Sequence, residues 1–352
     1  MNVNVSRFQK RLIRWFEAHK RPLPWRLKAD PYRIFVVEVM LQQTQIKTVI
    51  PYYERWLKAF PNVKSLARAP IDKVLKLWEG LGYYTRARNL HKTAQEIVNR
   101  FGGKIPSDSE TLMTLPGIGR YTAGAISSIA FQKPVPLVDG NVARVFSRLF
   151  NIKKDISKPE TQKQFYAVGE KLVPRKNPGI FNQALMELGS LVCVSEIPKC
   201  SICPVKSLCL AFQKGDPAKL PIRSKGAPVK KIDMVVGIVR KNGKILIRKR
   251  PDRGIWGGLW EIPGTIRAKN ETFEEALTQE FKETMNLSIT ILKKSSLMEH
   301  RFTHRRAFIH PFFCEIKEEN RTNGTKIKWA NAEKLKTFSF PVPHQKILAA
   351  LQ

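Results

Sequence analysis

The spacing of apolar residues divides the chain into a first part patterned for helices and a second part patterned for strands. Apolar residues recur three or four positions apart over residues 7–19, which predicts an amphipathic helix. Asp139 is a plausible N-cap of a later helix, because its side chain can accept a backbone N–H of the first turn. Further helices are predicted over residues 32–47, 72–78, 85–100 and 120–130.

After residue 231 the pattern changes to short apolar runs separated by turn residues. Asn242-Gly243 is a strong hairpin signal between predicted strands at 234–239 and 244–247. Further strands are predicted at 307–316 and 326–329, with one helix over 271–284. An all-α domain (1–213) is therefore expected to precede an α+β domain (232–352), with the proline-containing, lysine-rich residues 214–231 as linker.

The charge of the chain indicates a polyanionic partner. The net charge is +33, with +24 on residues 1–231 and +9 on residues 232–352, so both parts are basic. Nucleic acid is the first interpretation, and a generally basic solvated surface is the alternative. No apolar run reaches the roughly 20 residues of a membrane span, and the first residues do not resemble a secretory signal. We therefore expect no membrane partner and a cytoplasmic, nucleoid-associated location.

Four of the five cysteines lie in one short segment with the spacing C-x6-C-x2-C-x5-C. Four thiolates at such density can hold a [4Fe–4S] cluster or a zinc ion. Zinc ribbons usually contain two separated C-x2-C pairs, and this segment contains one, which favours the cluster. The candidate ligands are Cys193, Cys200, Cys203 and Cys209.

Leu115-Pro-Gly-Ile-Gly119 lies between two predicted helices and has the form of a helix-hairpin-helix turn. Gly117 and Gly119 would let backbone N–H groups approach a phosphate where the next helix begins. Taken alone, the motif could be a simple turn between helices. It becomes more specific because Asp139 and then the four cysteines follow it.

Two acids are candidates for chemistry on a nucleoside. Asp139 could stabilise positive charge on a sugar whose bond to a base is breaking, although it could also be an N-cap only. Glu38 lies among Val36, Val37, Val39 and Met40, so it must be buried with a partner or be functional. Burial would raise its pKa and suit it to donate a proton. A structural salt bridge is the alternative.

These motifs, in this order and over nearly the whole chain, resemble the MutY family of adenine DNA glycosylases. The matching segments are Pro22-Leu-Pro-Trp-Arg26, Glu38-Val-Met-Leu-Gln-Gln-Thr44, Gly80-Leu-Gly-Tyr-Tyr84, Leu115-Pro-Gly-Ile-Gly-Arg-Tyr121, Val138-Asp-Gly-Asn-Val142 and the cysteine segment. The resemblance implies removal of adenine mispaired with 8-oxoguanine, or with guanine, from duplex DNA by a monomeric protein carrying a [4Fe–4S] cluster. It also implies that the target base is flipped out of the helix.

The resemblance implies a role for each matching position. Glu38 would protonate N7 of adenine and later help to activate water, and Asp139 would stabilise the sugar cation. The other roles are positioning of the acids (Tyr121, Asn141), the adenine pocket (Arg26, Leu41, Gln183), wedging into the duplex (Gln43, Tyr83), contact with 8-oxoguanine (Thr44, Leu81) and the phosphate-binding hairpin (Leu115, Gly117, Gly119).

Residues 232–352 resemble a Nudix-like domain. A working Nudix box needs R-E-x-x-E-E to hold magnesium, but Gln279-Glu-Phe-Lys-Glu-Thr284 lacks the arginine and the last glutamate. Recognition is therefore expected rather than nucleotide hydrolysis. Phe302-Thr303-His304 matches the loop by which the family reads 8-oxoguanine, with threonine in place of the usual serine. A turn between core strands is the alternative interpretation.

Three other functions remain open at this stage. An endonuclease III-like glycosylase for damaged pyrimidines would carry a Schiff-base lysine where this chain has Tyr121, so we expect a monofunctional enzyme. A non-catalytic DNA-binding protein would not need Glu38 or Asp139. A zinc-binding nucleotide hydrolase is opposed by the incomplete Nudix box.

Overall fold

The computed structural model describes residues 4–27, 29–224, 228–302, 305–319 and 324–351. The chain divides into two compact units, Met1–Ala69 with Asn89–Lys225, and Pro70–Arg88 with Gly226–Gln352. The domain limits expected from the sequence, 1–213 and 232–352, stay predictions. Among the described residues, the search for a helix both long and apolar enough to cross a membrane found none.

Helices form most of the chain up to residue 213. They are α1 (Val5–His19), α2 (Pro31–Leu41), α3 (Ile46–Ala59), α4 (Val63–Ala67), α5 (Ile71–Trp78), α6 (Thr85–Phe101), α7 (Ser109–Met113), α8 (Arg120–Ala125), α9 (Gly140–Leu149), α10 (Pro159–Leu172), α11 (Pro178–Leu191) and α12 (Leu210–Gln213). A π-helical turn, Ile126–Ala130, continues α8.

The predicted amphipathic helix at the N-terminus is confirmed. α1 is capped by the Asn4 side chain and buries Phe8, Leu12 and Phe16 on one face. The single helix predicted over residues 32–47 is wrong in its second half, because α2 ends at Leu41 and α3 begins at Ile46. The intervening residues are polar and offer no apolar face to bury. Gln43 adopts a φ of 57° there, which turns the chain.

Helices α10 and α11 were not predicted from the sequence. α11 is apolar nearly all round, so it shows little helical periodicity. Its close approach to α9 depends on Gly189, where a Cβ atom would lie 2.7 Å from that of Asn141. This contact places α11 against the helix that Asp139 caps.

The second unit contains an eight-stranded sheet in its described residues. Its strands are β1 (Lys230–Lys241), β2 (Lys244–Lys249), β3 (Trp260–Glu261), β4 (Gly264–Ile266), β5 (Leu287–Lys294), β6 (Met298–Phe302), β7 (Arg305–Glu319) and β8 (Ile327–Ala330). Five of the strands lie in the order β3-β2-β1-β7-β5. In addition, β4 pairs with β1, β6 pairs with β7 and β8 pairs with β2. The predicted Asn242-Gly243 hairpin is confirmed, with φ of 50° and 69° at its two residues.

Both faces of the sheet are buried. Alternate residues of β1 belong to different cores: Val236 packs in a cluster with Ile347 of helix α15 (Val342–Ala350), and Val235 packs with Phe281 of helix α13 (Phe273–Met285). This explains why the middle of β1, residues 234–239, is an unbroken apolar run, and why β1 can pair in parallel with β7. A further short helix, α14 (Ala332–Leu335), follows β8.

Candidate active site

A cavity of about 180 Å³ within the helical unit brings together most of the predicted site residues. Its lining comes from α2, the start of α8, the N-terminus of α9, α11 and the segment before α2. The predicted residues that line it are Arg26, Glu38, Leu41, Thr44, Tyr121, Asp139, Asn141 and Gln183.

Glu38 is buried in this cavity, as its apolar neighbours in α2 predicted, and only 4% of its surface is exposed. The hydroxyl of Tyr121 donates a hydrogen bond to Oε2 of Glu38 at 2.7 Å. Burial, helped by the nearby Asp139 carboxylate, raises the pKa of Glu38 to about 7, although the Tyr121 hydrogen bond and the Arg26 charge act against the shift. Near neutral pH this carboxyl group can therefore hold and release a proton.

Asp139 is both an N-cap and a member of the cavity. Its Oδ1 accepts the backbone N–H of Val142 at 2.7 Å, which caps α9, and its Oδ2 accepts Nδ2 of Asn141 at 2.8 Å. Burial raises the pKa of Asp139, while these hydrogen bonds act against the shift. The two hydrogen bonds fix the direction in which the carboxylate faces the cavity.

Glu187 of α11 is a site residue that the sequence analysis missed. It is buried and binds two arginines, with Nη2 of Arg21 at 2.7 Å and Nη2 of Arg26 at 2.9 Å. Burial alone would raise the pKa of Glu187, but the bonds from Arg21 and Arg26 lower it to about 2. Nε of Arg26 also donates to Gln183 at 3.3 Å. The signal was available, because Glu187 is a lone charge in an otherwise apolar helix.

The predicted helix-hairpin-helix turn joins α7 to α8. Leu115 is buried, and Gly117 has a φ of 75°, a conformation that favours glycine. A Cβ atom at Gly117 would also lie 2.7 Å from the Asn89 side chain. Gly119 is the N-cap of α8, with open space where its Cβ would be, so the first N–H groups of α8 are approachable.

The remaining predicted DNA-contacting residues do not line this cavity. Gln43 is exposed at the turn after α2. Leu81 is buried in the second unit, and Tyr83 there is 42% exposed with a φ of 48°. Within that unit, Tyr83 and Phe302 line a separate cavity of about 500 Å³ together with Trp256 and His300. Thr303 and His304 lie outside the described residues.

The four clustered cysteines line one small cavity of about 30 Å³ between α9 and the chain that follows α11. Burial raises the pKa of Cys203 to about 12, so its thiolate needs a cation beside it. The buried Arg148 guanidinium lies 3.4 Å from Sγ of Cys193. No group of His, Cys, Asp or Glu in the described ranges is arranged to hold a single metal ion. As a donor set, four thiols around one cavity fit an iron–sulfur cluster.

A continuous chain of hydrogen bonds joins the candidate catalytic acid to the cysteine segment. Asn141 donates to Asp139 and accepts Nη2 of Arg144 at 2.9 Å. Nε of Arg144 then donates to the carbonyl of Cys193 at 2.7 Å. The position of Asp139 is therefore tied to the fold of the cysteine segment through α9.

Comparison with known proteins identifies the class of each part. Residues 36–171 match the HhH-GPD superfamily of base excision DNA repair proteins, and residues 234–350 match the NUDIX domain. A solved structure described as a thermostable thymine-DNA glycosylase superposes with a TM-score of 0.55 at 28% identity, covering 60% of this chain and 97% of that one. The helical part is thus a helix-hairpin-helix DNA glycosylase fold, and a Nudix-like α/β domain follows it.

Full-length relatives narrow the class to one family. The chain is 34% identical over 348 residues to the adenine DNA glycosylase of Buchnera aphidicola subsp. Baizongia pistaciae, covering 98% of this chain and 97% of that protein. It is 33% identical to the adenine DNA glycosylase of Homo sapiens, covering 99% of this chain and 75% of that protein. The chain belongs to the adenine DNA glycosylase family, which confirms the predicted resemblance.

The contacts of Glu38 generate a test of its protonation. In the unmodified chain, Glu38 should titrate near pH 7. Tyr121→Phe removes the hydrogen bond that lowers the Glu38 pKa, so Glu38 of this variant should titrate at a higher pH. Carboxyl infrared difference spectra, assigned with Glu38→Gln, would measure both values. Tyr53→Phe serves as control, because that buried tyrosine lies on α3 and is not among the groups that shift the Glu38 pKa. A Glu38 carboxyl that ionises near its ordinary pKa of 4.5 in both proteins would contradict the assigned environment.

Proposed function

We propose that this protein hydrolyses the bond between adenine and deoxyribose in duplex DNA where adenine is mispaired with 8-oxoguanine or guanine. The observation that carries the proposal is the pairing of Glu38 and Asp139 in one small cavity, with environments that give the two carboxyl groups different roles. The similarity to adenine DNA glycosylases and the +33 net charge support DNA as the substrate. A cavity of about 180 Å³ suits a single flipped base.

The reaction follows from the protonation states. Glu38, protonated near neutral pH, gives its proton to N7 of the adenine, and the bond between C1′ and N9 breaks with its electron pair leaving on the base. The sugar becomes an oxocarbenium ion, which the Asp139 carboxylate stabilises. Water then adds to C1′ and returns a proton to Glu38. The products are free adenine and an abasic site.

Tyr121 and Asn141 act as positioning residues in this scheme. Because Tyr121 donates to Oε2 of Glu38, Oε1 is left to carry the transferable proton. Asn141 holds the Asp139 carboxylate in its acceptor geometry. Arg26 contacts Gln183 at the edge of the cavity, and both residues, with Leu41, would line the adenine.

Recognition of the opposite base is assigned to other residues. We propose that Gln43 and Tyr83 wedge into the duplex, and that Thr44, Leu81 and the loop Phe302-Thr303-His304 contact 8-oxoguanine. The positive φ values of Gln43 and Tyr83 support this, because such conformations in non-glycine residues often mark functional positions. The cavity shared by Tyr83, Trp256, His300 and Phe302 supplies aromatic surface on which a base can stack.

The cysteine segment is proposed to hold a [4Fe–4S] cluster. Cys193, Cys200, Cys203 and Cys209 would supply four thiolates, and the cluster would order a basic loop that includes Lys199 and Lys206. Leu115, Gly117 and Gly119 would present the start of α8 to a DNA phosphate. The protein is proposed to act as a monomer on DNA.

Loss of either acid should abolish excision without abolishing DNA binding. General acid catalysis contributes about 10²–10⁴-fold, so Glu38→Gln and Asp139→Asn should each lower the single-turnover rate of adenine release by at least about 100-fold. Glu96→Gln, on the exposed face of α6, is the matched control and should keep its rate. Adenine release is measured on an A·8-oxoguanine duplex at saturating enzyme. Near-normal rates in either acid variant would refute the catalytic assignment.

The enzyme should leave an abasic site without cutting the strand. Tyr121 occupies the position where a lyase would carry its Schiff-base lysine, so borohydride should trap little enzyme–DNA adduct. Tyr121→Lys is the gain-of-function comparison for trapping. Efficient trapping by the unmodified protein, with matching strand cleavage, would show instead that the enzyme is bifunctional.

Discrimination between 8-oxoguanine and guanine should depend on the C-terminal loop. Good base-edge contacts contribute about 1–3 kcal/mol each, so Thr303→Ala with His304→Ala should lower the A·8-oxoguanine rate roughly 10-fold or more at limiting enzyme and affect A·G far less. Saturating single-turnover rates should persist, because Glu38 and Asp139 are unchanged. Thr325→Ala, elsewhere in the same unit, controls for general destabilisation. An unchanged ratio of the two substrate rates would show that the loop is only a turn and does not distinguish the two bases.

A further inference from the structure

Arg248 lies in the interior of the second unit, where it contacts the incomplete Nudix box, residues 279–284. It is on β2, opposite Glu261 of β3 in the antiparallel register, and both residues are buried, with 6% and 1% of their surfaces exposed. Buried charges are stable only when paired, so this arginine needs a complete set of partners.

Every N–H group of the Arg248 guanidinium has an oxygen partner. Nε and Nη2 donate to Oε1 of Glu261 at 3.0 and 2.6 Å. Nη1 donates to Oε1 of Glu280 at 2.5 Å and to Oγ1 of Thr284 at 2.8 Å. The second N–H of Nη2 donates to the carbonyl of Gly264 at 2.9 Å. Together these are the five donors that a guanidinium has.

The partners of Arg248 are the kind of ligand that a hard divalent cation prefers. They comprise two carboxylates, a hydroxyl and a backbone carbonyl, all oxygen donors. Two of them belong to the box segment: Glu280 is one of its two retained glutamates, and Thr284 stands where the box has its last glutamate. The remaining box positions, Gln279 and Glu283, bond to each other on the exposed face of α13.

We propose that the oxygen cage of Glu261, Gly264, Glu280 and Thr284 is a divalent-cation site closed by Arg248, whose guanidinium takes the place of the ion. The neighbouring Arg250 binds the second oxygen of Glu261, so each carboxylate of the cage already has a cationic partner. No donor of Arg248 remains for a phosphate. A groove of about 880 Å³ beside the cage is therefore not equipped for metal-dependent hydrolysis.

The backbone also fits this closed arrangement. A Cβ atom at Gly264 would lie 2.1 Å from the carbonyl of Val235, so only glycine allows β4 to approach β1 and present its carbonyl to the guanidinium. Glu280 and Thr284 are four residues apart on α13 and so share one face of the helix. The cage residues thus come from two strands, β3 and β4, and from one helix, α13, and a third strand, β2, supplies Arg248.

Removal of the guanidinium should open the site to a metal ion. In the full chain, Arg248→Ala should bind a single Mn²⁺ that is seen as loss of the free-ion paramagnetic resonance signal, and Mg²⁺ should compete for it. The unmodified protein should show no Mn²⁺ binding that depends on Glu280. Mg²⁺ at saturating concentration should raise the Tm of the variant by about 5 °C and leave the unmodified protein unchanged.

Two further variants make the result specific. Arg248→Ala combined with Glu280→Gln should lose the Mn²⁺ ion. Arg267→Ala removes another ion-paired arginine of the same unit, bound to Asp233, and should be destabilised without gaining a metal site. If Arg248→Ala does not fold in chelator, refolding should recover with Mn²⁺ and not with Na⁺. Failure of both binding and recovery would overturn the proposal, as would Glu280-dependent Mn²⁺ binding by the unmodified protein.

Discussion

The proposed chemistry depends on two carboxyl groups, those of Glu38 and Asp139, that are held together in one small cavity. Glu38 comes from a helix that is apolar on all sides, so its charge is poorly solvated and its pKa rises to about 7. Arg26 opposes this shift, although its guanidinium is also paired with Glu187, whose carboxylate is buried beside it. Asp139 accepts hydrogen bonds from the N-terminus of α9 and from Asn141, and these act against the rise that burial causes in its pKa.

The hydrogen bonds that position Asp139 extend beyond the cavity along α9. The helix begins at Asp139, and Arg144 and Arg148 on its later turns hold the carbonyls and one sulfur of the cysteine segment. Both arginines make fixed multidentate contacts that a lysine could not reproduce. The acid at one end of α9 and the thiols beside its other turns therefore share one rigid element. A change in the cysteine segment would be transmitted to Asp139 as a change in the start of the helix.

Local sequence was a good guide wherever one short segment determines the outcome. The N-cap at Asp139, the burial of Glu38, the Asn242-Gly243 hairpin and the amphipathic α1 were all predictable, because each depends on residues within one turn or one strand. Glu187 was missed because its partners Arg21 and Arg26 are distant in sequence. The parallel pairing of β1 with β7 was missed for the same reason. The break between α2 and α3 was missed because glutamines are compatible with a helix, and only the lack of an apolar face at residues 42–45 ended it.

In the second unit, a glutamate of the incomplete Nudix box is neutralised by an arginine of the same unit. A box glutamate that points inward must be neutralised, since an isolated buried carboxylate is costly. Arg248 meets that need from a neighbouring strand with a fixed charge, and Glu261 fixes its orientation. Glu280 is paired with this guanidinium, and Thr284, which stands where the box has its last glutamate, accepts one of its N–H groups through the hydroxyl. The carboxylates of Glu261 and Glu280 are thus neutralised by arginines of the same unit, so the packing of the box segment does not depend on a metal ion.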